Sequence, residues 1–170
     1  MKKAKVLTAV LAAAVLSVQA LSIVPGSISA AEKGQLTACA YTENQDGTWI
    51  REPPRGNWMY IHTDHTFTTN NWEKINNKWY YFDGSGWMQQ GWLTYNGRRY
   101  YLDSNGAMHT GWKKLNGKWY FFDSNGAMHT GWKLYKGDWY YLDSNGVMVT
   151  GFLYIDGKLY YLNEDGVWTH

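Results

Sequence analysis

Cysteine is all but missing from this chain. Cys39 is the only one in 170 residues, so no intrachain disulfide can form and an exported fold must be held by packing. Helical periodicity is missing as well. No apolar spacing of 3.6 survives, and Gly or Asn interrupts the sequence every ten residues or so, which excludes helical alternatives. Charge of one sign is scarce: 16 basic and 14 acidic residues leave a formal net charge of +2. No stretch outside the leader and the repeats described below is long enough to fold as a catalytic domain.

The basic surplus sits at the N terminus. Lys2, Lys3 and Lys5 precede an almost wholly apolar run, Val6 to Val24, which Pro25-Gly26 breaks before the small residues Ser-Ile-Ser-Ala-Ala. That order is a secretory signal pattern over residues 1–31, with cleavage after Ala30 or Ala31; a membrane anchor is the rival reading, since the apolar run is long for a signal. Removing the leader takes three of the 16 basic residues and none of the 14 acidic ones, leaving a net charge of −1 with His neutral. No footprint for nucleic acid remains, no basic stripe for anionic lipid, and no membrane insertion is expected after cleavage. Leu36-Thr37-Ala38-Cys39 is similar to a lipoprotein cleavage box, but it lies beyond the polar Glu32 and Lys33 instead of directly after the apolar run. Residues 32–46 read as a polar, flexible lead-in.

What the chain has in abundance is 11 Trp and 14 Tyr, and they are periodic. Gly91-Trp92, Gly111-Trp112, Gly131-Trp132 and Gly151-Phe152 recur every 20 residues, and Trp72 lies 20 before Trp92. The domain over 47–170 therefore divides into a degenerate unit at 47–70, carrying Trp49, Trp58 and an insertion at Pro53-Pro54, and regular units at 71–90, 91–110, 111–130, 131–150 and 151–170. Each unit parses as a β-hairpin. Asn96-Gly97 and Asn116-Gly117 suit a two-residue type I′ turn, with Lys136-Gly137 and Asp156-Gly157 in register. Asp123-Ser124-Asn125-Gly126 is a second turn leading to the next hairpin. A lone hairpin is marginal in water, whereas stacked ones bury a shared core and cover strand edges. The expected fold is all-β, a solenoid of about six β-hairpins.

A turn at Asn116-Gly117 sets Lys114 opposite Trp119 and Trp112 opposite Phe121. Side chains alternate along a strand, so Trp112, Trp119 and Phe121 share one face while Leu115, Tyr120 and Phe122 share the other, the expected core. The first face holds more aromatic surface than a narrow core needs. Packing of hairpin on hairpin and ligand binding both account for it. Met88, Met108, Met128 and Met148, in one column, favour a ligand, because aromatics with a sulfur suit a quaternary ammonium. Aromatic platforms stack on sugar rings too, so two ligand classes stay open.

The pattern GWxxxxGxWYYxDxxGxMxTG resembles the choline-binding, or cell-wall-binding, repeat of autolysins, phage lysins and bacterial surface proteins, over about residues 47–170. In that family a choline site forms between consecutive hairpins, from two Trp of one repeat and a Tyr of the next, with a Met nearby. The resemblance implies one site from Trp72, Trp79 and Tyr101 with Met88, a second from Trp112, Trp119 and Tyr141 with Met128, and a third from Trp132, Trp139 and Tyr161 with Met148. Whether Tyr100, Tyr140 and Tyr160 share the role stays open. Arg99 replaces the second Trp of its unit, and its repulsion of a trimethylammonium counts against a site at Trp92, Met108 and Phe121. Phe152 and Leu159 mark the last unit as a terminal cap. The Trp, Tyr and Met columns, with no segment left for a catalytic domain, point to a non-enzymatic protein. The resemblance implies one held non-covalently on the bacterial cell wall by choline-decorated teichoic acid or another wall polymer, and the leader implies secretion. Family members often dimerise through terminal repeats, so a homodimer is open to this chain. A glycan-binding repeat, similar to those of glucansucrases, is the alternative, and a small wall hydrolase a third.

Catalysis needs a unique constellation, whereas Asp103, Asp123 and Asp143 recur in one column and read as turn residues. Asp-Ser-Asn-Gly lacks the distant bidentate Glu of a calcium loop, and His62 and His65 lack supporting metal ligands. No metal or cofactor is expected. His109 and His129 are expected to face solvent.

Overall fold

A computed structural model describes residues 3–5, 41–44, 46–52 and 56–169. The expected cleavage site, Cys39 and Pro53-Pro54 lie outside the described residues. Every regular element among the described residues is a strand, and no helix among them is long and apolar enough to cross a membrane. The chain forms two compact units, Met1–Gln89 and Gln90–His170.

In the first unit, β1 (Lys3–Lys5), β2 (Tyr41–Asn44), β3 (Gly47–Arg51), β4 (Trp58–His62) and β5 (Thr66–Thr68) make one sheet in the order β1-β5-β4-β3-β2. Lys3–Lys5 and Tyr41–Asn44, which fall in the expected leader and lead-in, are paired strands of this sheet. The degenerate unit keeps the hairpin but lengthens its turn: β3 and β4 pair Trp49 with Tyr60 and Arg51 with Trp58. A regular hairpin follows, β6 (Asn71–Ile75) and β7 (Lys78–Phe82). Its core gathers Tyr60, Ile75 and Phe82, with Trp49, Tyr80 and Met88 against them. Glu73 is buried, accepts a hydrogen bond from the Thr68 hydroxyl and lies 3.2 Å from His62 Nε2.

The second unit repeats one hairpin four times: β8 and β9 (Gly91–Tyr95, Arg98–Leu102), β10 and β11 (Gly111–Leu115, Lys118–Phe122), β12 and β13 (Gly131–Tyr135, Asp138–Leu142), β14 and β15 (Gly151–Ile155, Lys158–Leu162). β16 (Trp168–Thr169) adds a third strand beside β15. The register is the expected one, with Trp112 opposite Phe121 and Lys114 opposite Trp119. Both turn residues have positive φ, 49° at Asn116 and 80° at Gly117, as a type I′ turn requires. Lys136 adopts φ 53° at the same position, a conformation that costs a side chain with Cβ about 1 kcal/mol.

Two interactions join consecutive hairpins. The twelfth residue of each repeat, Leu102, Phe122, Leu142 and Leu162, is fully buried, and such burial is worth about 1.5–3 kcal/mol per side chain. The methionine loop also reaches back: Met128 N–H donates to the Arg99 carbonyl at 2.7 Å and Met148 N–H to the Trp119 carbonyl at 2.8 Å. Each methionine then lies beneath the next loop, where a Cβ on Gly166 would come within 2.6 Å of Met148 Sδ. That contact and a φ of 80° both demand glycine there.

Candidate ligand-binding site

Hairpins related by a repeating step stack front to back, and this corrects the division into a core face and a ligand face. The Trp112 face of one hairpin meets the Tyr140 face of the next, with ring centroids 4.9 Å apart at 64°. Trp119 stands edge-on to Trp112, at 6.4 Å and 90°. Three aromatic walls therefore surround one spot, and Trp119 stays 40% exposed at its mouth.

The tenth residue of the next repeat, not the eleventh, supplies the third wall. Tyr141 pairs with Trp132 on the opposite face of its own hairpin, 5.3 Å away, and Tyr161 does the same with Phe152 at 5.0 Å. Tyr101 likewise lies on the face of Trp92. The expected groupings of Tyr141 with Trp112 and of Tyr161 with Trp132 are thus replaced by Tyr140 and Tyr160. The methionine shifts by one repeat for the same reason. The one hydrogen-bonded to Trp119 is Met148, while Met128 is bonded to Arg99 and Met88 to Trp58.

The cluster recurs at the end of the second unit. Trp132 meets Trp139 at 6.4 Å and Tyr160 at 4.9 Å. Trp168 stands in the methionine column and closes a fourth side, 5.9 Å from Trp132 and 5.8 Å from Tyr160. Sequence reasoning missed Trp168 by treating the last unit as a cap, although it lies 20 residues after Met148. Phe152, Tyr154 and Leu159 are exposed beyond it.

The first unit holds a cluster of the same dimensions. Trp49 meets Trp58 at 6.4 Å and 83°, and Tyr80 at 5.0 Å and 65°. Met88 N–H donates to the Trp58 carbonyl at 2.7 Å. The matching register, Trp49 opposite Tyr60 and Arg51 opposite Trp58, was the available signal. Burial raises the Tyr80 and Tyr140 phenols above their ordinary value, with Asp138 adding to the effect on Tyr140. Trp72 and Trp79 share a face of the β6–β7 hairpin, and Trp79 is 41% exposed.

At Trp92 the second tryptophan is missing, and the protein's own cation takes its place. Arg99 Cζ lies 4.1 Å from the Trp92 ring centroid, and Tyr120 meets Trp92 at 5.1 Å. Phe121, grouped with Trp92 from the sequence, packs on Trp112 at 5.1 Å instead. Met108 packs beneath Gly126.

The recurring aspartates split into two kinds. Asp143 Oδ1 accepts the N–H groups of Asn145 and Val147, the expected turn role. Asp103 and Asp123 instead hold side chains: Lys133 Nζ is 2.6 Å and His129 Nδ1 3.0 Å from Asp123, and Lys113 Nζ is 2.7 Å and His109 Nδ1 3.1 Å from Asp103. Burial alone would push both carboxyls up, but hydrogen bonds and charge from these lysines and histidines outweigh it and hold them below the ordinary aspartate value. His109 and His129 are thus partly buried links and not solvent-facing, since each Nε2 also lies near a backbone oxygen of the next repeat, that of Trp112 or Trp132. Among the described residues, no three His, Cys, Asp or Glu side chains gather as a metal site.

The family model described as choline-binding repeat matches residues 69–110, 109–146 and 129–169. Among solved structures, CbpJ from Streptococcus pneumoniae TIGR4 is 33% identical with a TM-score of 0.66, covering 76% of this chain and 52% of that one. CbpF in complex with ipratropium is 41% identical with a TM-score of 0.64, covering 77% of this chain and 42% of that one. The endolysin of phage Cp-1 complexed with choline is 38% identical with a TM-score of 0.53, covering 75% and 40%. This chain spans about half the length of the first of these relatives. No curated protein sequence matches it. The repeat, the stacked hairpins and these likenesses together make this chain a member of the choline-binding repeat family.

Proposed function

We propose that this protein is a non-catalytic wall-binding module whose aromatic cages take the choline groups of teichoic or lipoteichoic acid, several at a time. The observation that carries the reading is one geometry in three places: two perpendicular tryptophans 6.4 Å apart with a tyrosine 4.9–5.0 Å from the first. The cages are Trp49, Trp58 and Tyr80; Trp112, Trp119 and Tyr140; and Trp132, Trp139, Tyr160 and Trp168. Their walls meet at steep angles, which suits a compact cation presented with several π-faces better than the flat platform a sugar ring needs. The solved endolysin in complex with choline supports the same ligand.

Each cation–π contact is worth about 0.5–2 kcal/mol, so three walls give a dissociation constant near the millimolar range. Sites that weak are useful against a repetitive polymer, where linkage multiplies affinity by roughly 10² to 10⁴. We infer a secreted protein, freed of its leader and held non-covalently on the wall. The test is titration of the mature protein with choline, followed by tryptophan fluorescence, with retention on immobilised choline and elution by free choline. Saturable quenching and choline-dependent elution are expected; retention on dextran with indifference to choline would overturn the reading. Clearing of a cell-wall zymogram by this chain alone would remove the non-catalytic part.

A further inference from the structure

One cluster in the second unit is already filled by a cation of the protein itself. Arg99 lies over Trp92 at 4.1 Å, so a trimethylammonium entering there would have to displace a tethered charge. A guanidinium held over an aromatic ring by cation–π contact still carries its N–H donors, and its planar fork matches a phosphate in bidentate fashion. Among the described residues neither Arg98 nor Arg99 forms an ion pair with a carboxylate.

The two arginines line an open groove of about 520 Å³ together with Asp123, Thr130 and Ser144. Its one carboxylate is already engaged, Oδ1 by Lys133 at 2.6 Å and Oδ2 by His129 at 3.0 Å. Beyond that carboxylate the groove is lined by Arg98 and Arg99, neither in an ion pair among the described residues, and by the hydroxyl-bearing Thr130 and Ser144. We propose that this groove binds a phosphate ester, with Arg98 and Arg99 as the reading residues and Trp92 as the platform that holds Arg99 in place. The row of cation cages is thereby interrupted by an anion subsite, a combination fitted to a polymer that alternates both charges.

Inorganic phosphate, titrated at constant ionic strength against chloride, tests this by NMR of the arginine Nε–H and tryptophan indole N–H groups. The expected result is a saturable shift of the Arg99 and Trp92 signals while those of Trp112 and Trp132 stay still. Arg98→Gln should weaken the response about tenfold, the loss of one charge-assisted pair, and Arg99→Trp should abolish it. Glycerol phosphate oligomer and phosphocholine form the other arms. Tighter binding of the first identifies a polymer backbone as the source, and of the second a headgroup. Signals that do not move, or that move equally with chloride, overturn the proposal. So does a response unchanged in the Arg98→Gln/Arg99→Gln variant when its near-ultraviolet dichroism is native. The readout is independent of choline: a protein that ignores choline yet shifts with phosphate refutes the cation reading alone.

Discussion

The Trp92 and Trp112 clusters are neighbours in one unit, share one register and each receive a tyrosine from the following hairpin, Tyr120 and Tyr140. They differ at the ninth residue of the repeat. Trp119 adds a second, half-exposed indole wall, whereas Arg99 sets a guanidinium 4.1 Å from the Trp92 ring centroid. The difference separates the stacking that both clusters share from the ninth-residue contact on which the proposed ligand capture depends. Both clusters join consecutive hairpins, but only the Trp112 cluster carries the second tryptophan that the proposed cage needs. Aromatic abundance alone is therefore no measure of site number.

The strongest way to break the comparison is to remove the wall common to both roles. Trp132→Ala should abolish choline capture at the last cage, which loses contacts to Trp139, Tyr160 and Trp168, and should cost about 2–4 kcal/mol of stability as a large core truncation. Calorimetric stoichiometry and denaturant unfolding read the two effects. Converting one cluster into the other comes next: Arg99→Trp should add one choline equivalent with an affinity near that of the existing cages. An unchanged stoichiometry in a folded variant would show that the ninth residue does not decide the difference.

A smaller effect tests which tyrosine forms the wall. Tyr140→Ala should weaken the Trp112 cage by about tenfold, one cation–π face, while Tyr141→Ala should leave that cage within twofold. Equal losses would contradict the front-to-back stacking.

Acid should loosen the second unit selectively. Asp103 and Asp123 have folded-state values below the ordinary one. Their contribution is therefore present above the unfolded aspartate value and is lost as pH falls through the depressed folded values. An Asp103→Asn/Asp123→Asn variant should show a flatter fall in unfolding midpoint below about pH 4. Smallest of all, Lys136→Asn should stabilise the fold by about 0.5–1 kcal/mol, since Asn tolerates positive φ better than Lys, with choline binding unchanged.

Much of this architecture is legible from residues alone. The 20-residue period, the two-residue turns at Asn96-Gly97 and Asn116-Gly117, and the pairing of Trp112 with Phe121 follow from turn chemistry and the alternation of strands, which are local rules. The burial of the twelfth column follows from the same alternation. Arg99 was visible as a departure from its column without any structure.

Which residues share a cage was decided by the tertiary structure. Pairing within a hairpin places Tyr140 and Tyr141 on opposite faces, but only the stacking direction determines which face meets Trp112. Repetition of one step puts unlike faces together, so the neighbour contributes its tenth residue and its methionine loop reaches one repeat further back. The cage at Trp49, Trp58 and Tyr80 was hidden because its hairpin turn is lengthened, and Trp168 because its methionine column ends in an aromatic. The sequence by itself thus determined the hairpin, its period and its faces, through interactions between residues close along the chain. The make-up of the cages belongs to contacts between residues 28 to 36 positions apart, where the packing of one repeat on the next has the deciding energy.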